Sequence, residues 1–235
     1  MSTLRAIVVA AFLAVTSTSI FAANVAASGT QLSEGSPEAM NRMGVLYATG
    51  TGVPKDYVAA LAWYRRAAEG GSLSAMNNIA TMYFHGLGVA QSYEETVKWL
   101  RRAVEEGDAA AQYRLGSLYE DGLGVPKSAH DAFELFSLAA AQGYAPGMAN
   151  LGRAYARGLG VKRDEIRAYA LISAAVEIGV QQRERDAALY ELGALSQRLD
   201  AKQLERAQAD ARTLVQTQPK EVLVEEANAR NSYRL

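Results

Sequence analysis

Few residues in this chain of 235 have the type and spacing that chemistry requires. His85 and His130 have no second ligand at His-x-x-x-His or similar spacing, so neither predicts a metal site and each reads as an exposed or locally bonded histidine. Glu94 with Glu95, and Glu105 with Glu106, are sequence neighbours. Adjacent helix positions point about 100° apart, so neither pair converges as a general acid and base. Gly50-Thr-Gly52 and Gly86-Leu-Gly88 look like phosphate loops, but no strand precedes them and the pattern recurs along the chain. A backbone role is therefore expected of them. No Gly-x-Ser-x-Gly elbow is present, and with no cysteine there are no disulfides, thiol nucleophiles or thiolate metal sites. Arg65-Arg66 and Arg101-Arg102 read as charges complementing helix C-termini. A net charge of -1 offers no field for nucleic acid. No catalytic residue, metal site or cofactor is predicted.

What remains is a matter of the elements that carry these side chains. The chain holds 44 alanines and 20 glycines, the best and nearly the worst of helix formers, so its glycines must either disorder it or sit at fixed places. With 49% hydrophobic residues it has the material for a core and is no disordered, collagen-like or polytopic membrane chain.

Shifting the sequence by 36 residues settles which. Tyr47, Tyr83, Tyr119 and Tyr155 align, as do Gly50, Gly86, Gly122 and Gly158, then Gly52, Gly88, Gly124 and Gly160, each followed by valine, and finally Gly71, Gly107, Gly143 and Gly179. A period of this length means stacked units, none of which buries its apolar face alone. Each unit reads as a helix pair. In the first, Met40, Met43, Gly44 and Tyr47 form an apolar stripe on a helix over 37–49, capped by Ser36 with Pro37 in its first turn, and Gly50 stops it in the left-handed conformation. The second helix starts after Asp56, Ser92, Ser128 or Asp164, all good N-caps, and Ser92 with Glu95 forms a capping box. Ala60, Trp63, Tyr64 and Ala67 face the core, with Trp63 and Trp99 filling space between layers.

Met43-Gly-Val-Leu-Tyr47, Gly50-Thr-Gly-Val53 and Ala62-Trp-Tyr-Arg-Arg-Ala-Ala68 resemble the Sel-one-like repeat (SLR) family, a close relative of tetratricopeptide repeats. The resemblance covers about 37–179 and implies an all-α, right-handed solenoid of antiparallel helix pairs whose first helices line a concave groove for proteins or peptides. Ala80 departs from the glycine of Gly44, Ala90 from the proline of Pro54, and Leu135 and Leu171 from the tryptophan. Some exported members carry a cysteine pair in each repeat and act on or bind β-lactams; without cysteines, that carry-over fails here.

The expected organisation is a signal peptide over 1–23, with cleavage after Ala22 or Ala27, then a flexible segment over 24–35. Four repeats follow over 36–71, 72–107, 108–143 and 144–179, then capping helices over 180–217 and a loose tail over 218–235. Ala6 to Val15 is an uninterrupted apolar run after Arg5, too short to span a bilayer, where about 20 residues are needed, and followed by small residues suited to cleavage. Periplasmic or secreted localisation is expected, with an uncleaved anchor as the alternative. In the cap, Ala188, Leu189, Leu192 and Leu195 share a face, Asp200 caps the next helix with Gln203 three residues on, and Arg183, Arg185, Arg198, Lys202, Arg206 and Arg212 make a polar outer side.

On the first helices, the positions turned away from the apolar stripe carry Asn41, Asn77, Thr81, Phe84, His85, Tyr113, Arg114, Ser117, Asn150, Arg153 and Arg157. Amides pair with extended backbone, and aromatics and arginine dominate hot spots, so this set is the expected partner-binding surface. The function expected is an exported protein-interaction scaffold, not an enzyme, binding an unidentified protein or peptide, without nucleic acid, metal or membrane association after cleavage. The competing reading, a cell-envelope enzyme acting on β-lactams or peptidoglycan, would need a convergent pair of titratable groups in the groove.

Overall fold

A computed structural model describes residues 35–180 and 182–217. The expected leader, nearly all of the 24–35 segment, the 218–235 tail and the Arg183 side chain lie outside the described residues. The described chain forms ten helices. They are α1 (Pro37–Thr49), α2 (Tyr57–Glu69), α3 (Leu73–His85), α4 (Tyr93–Glu105), α5 (Ala109–Asp121), α6 (Ala129–Ala141), α7 (Ala145–Arg157), α8 (Glu165–Ile178), α9 (Gln182–Ser196) and α10 (Ala201–Gln216). Successive helices pack in antiparallel pairs on the 36-residue repeat, a solenoid-like all-helical fold. No described helix is long and apolar enough to cross a membrane. The chain divides into two compact units, up to Ala75 and from Met76 onward.

The caps act as their residue types dictate. Asp56, Ser128 and Asp164 each accept backbone N–H groups at the first turn of α2, α6 and α8, and Ser36 does the same for α1. Asp200 and Gln203 close a full capping box on α10. The box expected at α4 is only half formed. Ser92 Oγ accepts from Glu95 N–H at 3.1 Å, but the Glu95 carboxylate pairs with Lys98, and Ser92 Oγ donates instead to Glu94 at 3.0 Å.

In the first unit α1 crosses α2 where Gly44 meets Tyr64: a Cβ on Gly44 would lie 2.4 Å from the ring. Tyr64, Ala60 and Ala67 are buried. Trp63 is not: it is half-buried with the Arg66 guanidinium 4.6 Å above its ring, and Arg102 covers Trp99 the same way. The tryptophans thus face outward, and these arginines shield them from water as much as they complement a helix end.

In the second unit the repeats are joined by specific ties. Gln142 donates to Gly107 O at 2.9 Å and to Oε1 of the buried Gln112 at 2.8 Å. The glycines of each turn divide the labour. Gly122 (φ 76) ends α5, its N–H donating to Leu118 O, while Gly124 (φ 70) lies so close to the start of α4 that a Cβ would sit 2.5 Å from the Tyr93 carbonyl. Main core residues include Ile79, Leu100, Met148, Ile172 and Leu195.

In the cap, Ala188, Leu192 and Leu195 face the core as expected, and Leu189 alone of the expected stripe does not. Leu189 is exposed on α9; the buried face runs through Ala188 and Leu195, with half-buried Glu184 and Glu191 on the same side. The four recur at helical spacing. Arg185 donates to Val176 O at 3.3 Å, and Arg198 donates to Glu165 at 3.2 Å, so two of the expected outer arginines tie the cap to α8.

Candidate functional site

In the second unit, helices α3, α4 and α5 enclose a cleft of about 310 Å³. Its floor is apolar, made by Ala80, Leu100 and Leu118, with the Thr96 hydroxyl donating to Ser92 O at 2.8 Å and lying 3.4 Å from Ala80 O of α3. Thr81, Phe84 and His85 come from α3, and Tyr113, Arg114, Ser117 and Asp121 from α5. Six of the side chains expected from sequence, Thr81, Phe84, His85, Tyr113, Arg114 and Ser117, therefore line one cleft.

Their positions are held from below. Phe84 stands edge-on to His85, ring centroids 4.9 Å apart, and to Tyr93 at 5.4 Å. Tyr113 is tilted against Phe136 at 6.1 Å and Tyr144 at 5.7 Å. Burial raises the Tyr113 phenol above its ordinary pKa, and the negative charge of Glu184 adds to the effect. Arg114 Nη1 donates to Asn77 O at 3.2 Å and to Thr81 Oγ1 at 2.8 Å, two uncharged acceptors that fix the guanidinium over the cleft.

The remaining expected residues fall elsewhere. Asn77 is buried, its Nδ2 donating to Asp108 Oδ1 at 2.9 Å, where Asp108 also caps α5. It is a structural strut, turned inward because α5 packs over the side of α3 that a lone helix would show to water. Arg153 is consumed by the cap: its Nε donates to both carboxylate oxygens of Glu191, at 3.0 and 3.2 Å, and its Nη1 to Asn150 Oδ1 at 2.7 Å. Arg157 reaches the same Glu191 at 3.8 Å. Arg153 and Arg157 thus share Glu191 of α9, Asn150 bonds Arg153 directly, and none of the three lines the cleft. Asn41 lies half-buried on α1 in the first unit.

Sequence reasoning passed over Asp121, Thr96, Leu100 and Glu191. Asp121 shares its repeat slot with His85, which was chosen, so the repeat frame alone would have found it. Glu191 lies beyond the repeats, where no frame applies. Among the described residues no three histidine, aspartate or glutamate side chains converge to hold a metal ion.

Residues 37–72, 73–108, 109–144 and 145–180 each match the Sel1 repeat. No curated protein matches the chain. Among solved structures it is similar to a protective antigen present in uropathogenic Escherichia coli strains displaying an SLR fold, with 29% identity and a TM-score of 0.71. That match covers 83% of this chain and 41% of the antigen, so the chain spans well under half of that relative's length. It is also similar to a Sel1 repeat protein from Oxalobacter formigenes, with 28% identity, a TM-score of 0.64, and coverage of 85% of this chain and 82% of that one. With four consecutive repeats matched over more than half of its length, the chain belongs to the Sel1 repeat family and is a helical repeat scaffold.

Proposed function

We propose that this chain is an exported interaction scaffold that binds a segment of a partner protein in the cleft between α3 and α5. The observation that carries the reading is the assembly, on two neighbouring first helices, of Phe84, Tyr113, Arg114, Thr81 and Ser117 over an apolar floor. A concave, mostly apolar surface with a few placed polar groups is what binding sites share. Aromatic residues and arginine are the types that dominate interface energetics. Export is supported by the basic start, apolar run and small residues of the first 23 positions.

The test is site-specific photo-crosslinking in cells, with the probe at Ser117 in the cleft or at Leu138, an exposed position on α6. A partner captured from Ser117 and lost on Arg114→Ala supports the reading. Equal capture from both positions, insensitive to Arg114→Ala, refutes it. Export is tested separately by fractionation and sequencing of the mature N-terminus; a chain still starting at Met1 in an envelope fraction refutes cleavage.

A further inference from the structure

We propose that the cleft recognises an acidic peptide by one aromatic side chain, which enters between Phe84 and Tyr113, and by a carboxylate two residues away, which pairs with Arg114. This rests on the reading of the cleft as a peptide site and adds the chemistry of the occupant.

The repeat supplies the argument, because every cleft position has counterparts one period away. Where the first and third repeats place an aromatic ring under the first helix, Tyr64 against Gly44 and Phe136 against Gly116, the second repeat has Leu100 under Ala80. At the rim, Ser117 occupies the slot that holds Arg153 one repeat later. Leu100 is thus smaller than the rings of those two repeats and Ser117 smaller than Arg153, and both line the cleft. The walls beside it are aromatic rings, which pack edge-to-face or offset with a further ring.

Arg114 supplies the second half. Arg153, the arginine one repeat later in the slot of Ser117, is neutralised by Glu191, whereas Arg114 donates only Nη1, and only to uncharged oxygens. Among the described residues no carboxylate lies within ion-pair distance of it. Asp121 also lines the cleft but stands seven residues further along α5, roughly 10 Å at 1.5 Å per residue, too far to compensate the charge. A guanidinium oriented by neutral acceptors keeps its charge for a ligand and favours a planar carboxylate. The spacing follows. Arg114 and Leu118 of the floor are about one turn apart, about 5.4 Å, and side chains on one face of an extended peptide repeat every two residues, about 6.7 Å.

The experiment uses the full chain and a fluorescein-labelled Gly-Glu-Ser-Phe-Ser-Gly peptide in anisotropy titrations, with versions carrying Gln for Glu or Ala for Phe. Each replacement is expected to weaken binding by about tenfold or more. Arg114→Gln should cost the Glu peptide a similar factor and the Gln peptide little, and added salt should weaken only the former. Ser117→Met, which gives up only a back-bond to Tyr113 O, and the pair Ala80→Gly with Leu100→Phe, which installs the third repeat's combination, should each abolish binding while the melting temperature shows a folded chain. Equal binding of the Glu and Gln peptides, or of the Phe and Ala peptides, overturns the inference. A random peptide library selected on the full chain separates the two levels. Enriched peptides that lack the acid and aromatic but are lost on Ser117→Met overturn this inference and uphold the cleft as a peptide site; enrichment of none overturns both.

Discussion

Replacing two glycines of the same turn by alanine should give very different losses of stability. Gly122 and Gly124 have nearly equal backbone angles, φ 76 and φ 70, so alanine at either one meets the same left-handed penalty of about 1 to 2 kcal/mol. Stiffening of the unfolded chain returns about 0.4 to 1 kcal/mol in both. Their surroundings differ. A Cβ on Gly122 meets the Lys127 Cβ at 3.1 Å, a tight contact that only a small shift relieves, while one on Gly124 meets the Tyr93 carbonyl carbon and oxygen at 2.5 Å. Tyr93 is the first residue of α4, whose backbone is fixed by the Ser92 cap, so relief requires the turn and helix to part. Overpacking of this kind costs about 1 to 3 kcal/mol beyond the strain.

Gly122→Ala should therefore lose about 1 kcal/mol and Gly124→Ala about 3 kcal/mol, the difference moving the melting temperature by roughly 2 to 4 °C per kcal/mol at this chain length. The fourth repeat offers the same comparison. A Cβ on Gly160 would lie 2.2 Å from Ala129 O, whereas on Gly158 its nearest neighbour is Val161 O at 3.5 Å. Urea or thermal unfolding measures the totals, and hydrogen exchange at Thr96 N–H, bonded to Ser92 O, shows whether the loss is centred on the start of α4. Equal losses within either glycine pair would refute the claim that the second glycine exists for the contact between repeats.

Gly116→Ala should destabilise by about 1 to 3 kcal/mol, because its Cβ would come within 2.7 Å of the Phe136 ring, and adding Phe136→Leu should recover part of this, measured as a favourable coupling in a double-mutant cycle. Glu191→Ala should cost about 1 kcal/mol, read by urea unfolding and shrinking at high salt, since Arg153 and Arg157 lose their shared partner but remain partly solvated. Tyr113 holds its proton more tightly folded than unfolded, so its contribution is complete below the ordinary phenol range near 10 and is lost as pH rises through its raised folded value. Tyr113→Phe should flatten the alkaline fall in stability, and an unchanged slope above that range would contradict the shift.

Helix ends, turns and pairing were legible because they depend on residues acting within a few positions of themselves. Asp56, Ser128 and Asp164 cap wherever the chain turns helical, and a 36-residue period repeats the demonstration four times. The outward face was legible only in part. Angular arithmetic on a single helix puts Asn77 on the side of Phe84, but α5 lies over that side near Asp108 and leaves it only toward the helix end. Which part of a face stays open depends on the neighbouring helix, and that is tertiary information. The same reason hid Glu191, whose importance lies in two arginines some 34 and 38 residues earlier.

The departures from the repeat, more than its regularity, locate the candidate site. Identical repeats stacked with identical neighbours would give the same surface at every step, so no step could select a ligand over another. Here the slot of Ser117 is Val45, Thr81 and Arg153 in the other repeats, and the slot of Arg114 is Arg42, Asn78 and Asn150. The first-helix glycine pairs with an aromatic in two repeats and with Ile172 in the fourth, while the second repeat alone substitutes Ala80 and Leu100. Ala80 and Leu100 are both almost completely buried, so that exchange leaves the packing of the pair intact while altering what the floor presents to the cleft. Stability constrains the sum of the two side chains at such a crossing and leaves their division free, which lets one repeat be shaped for a ligand without weakening the stack.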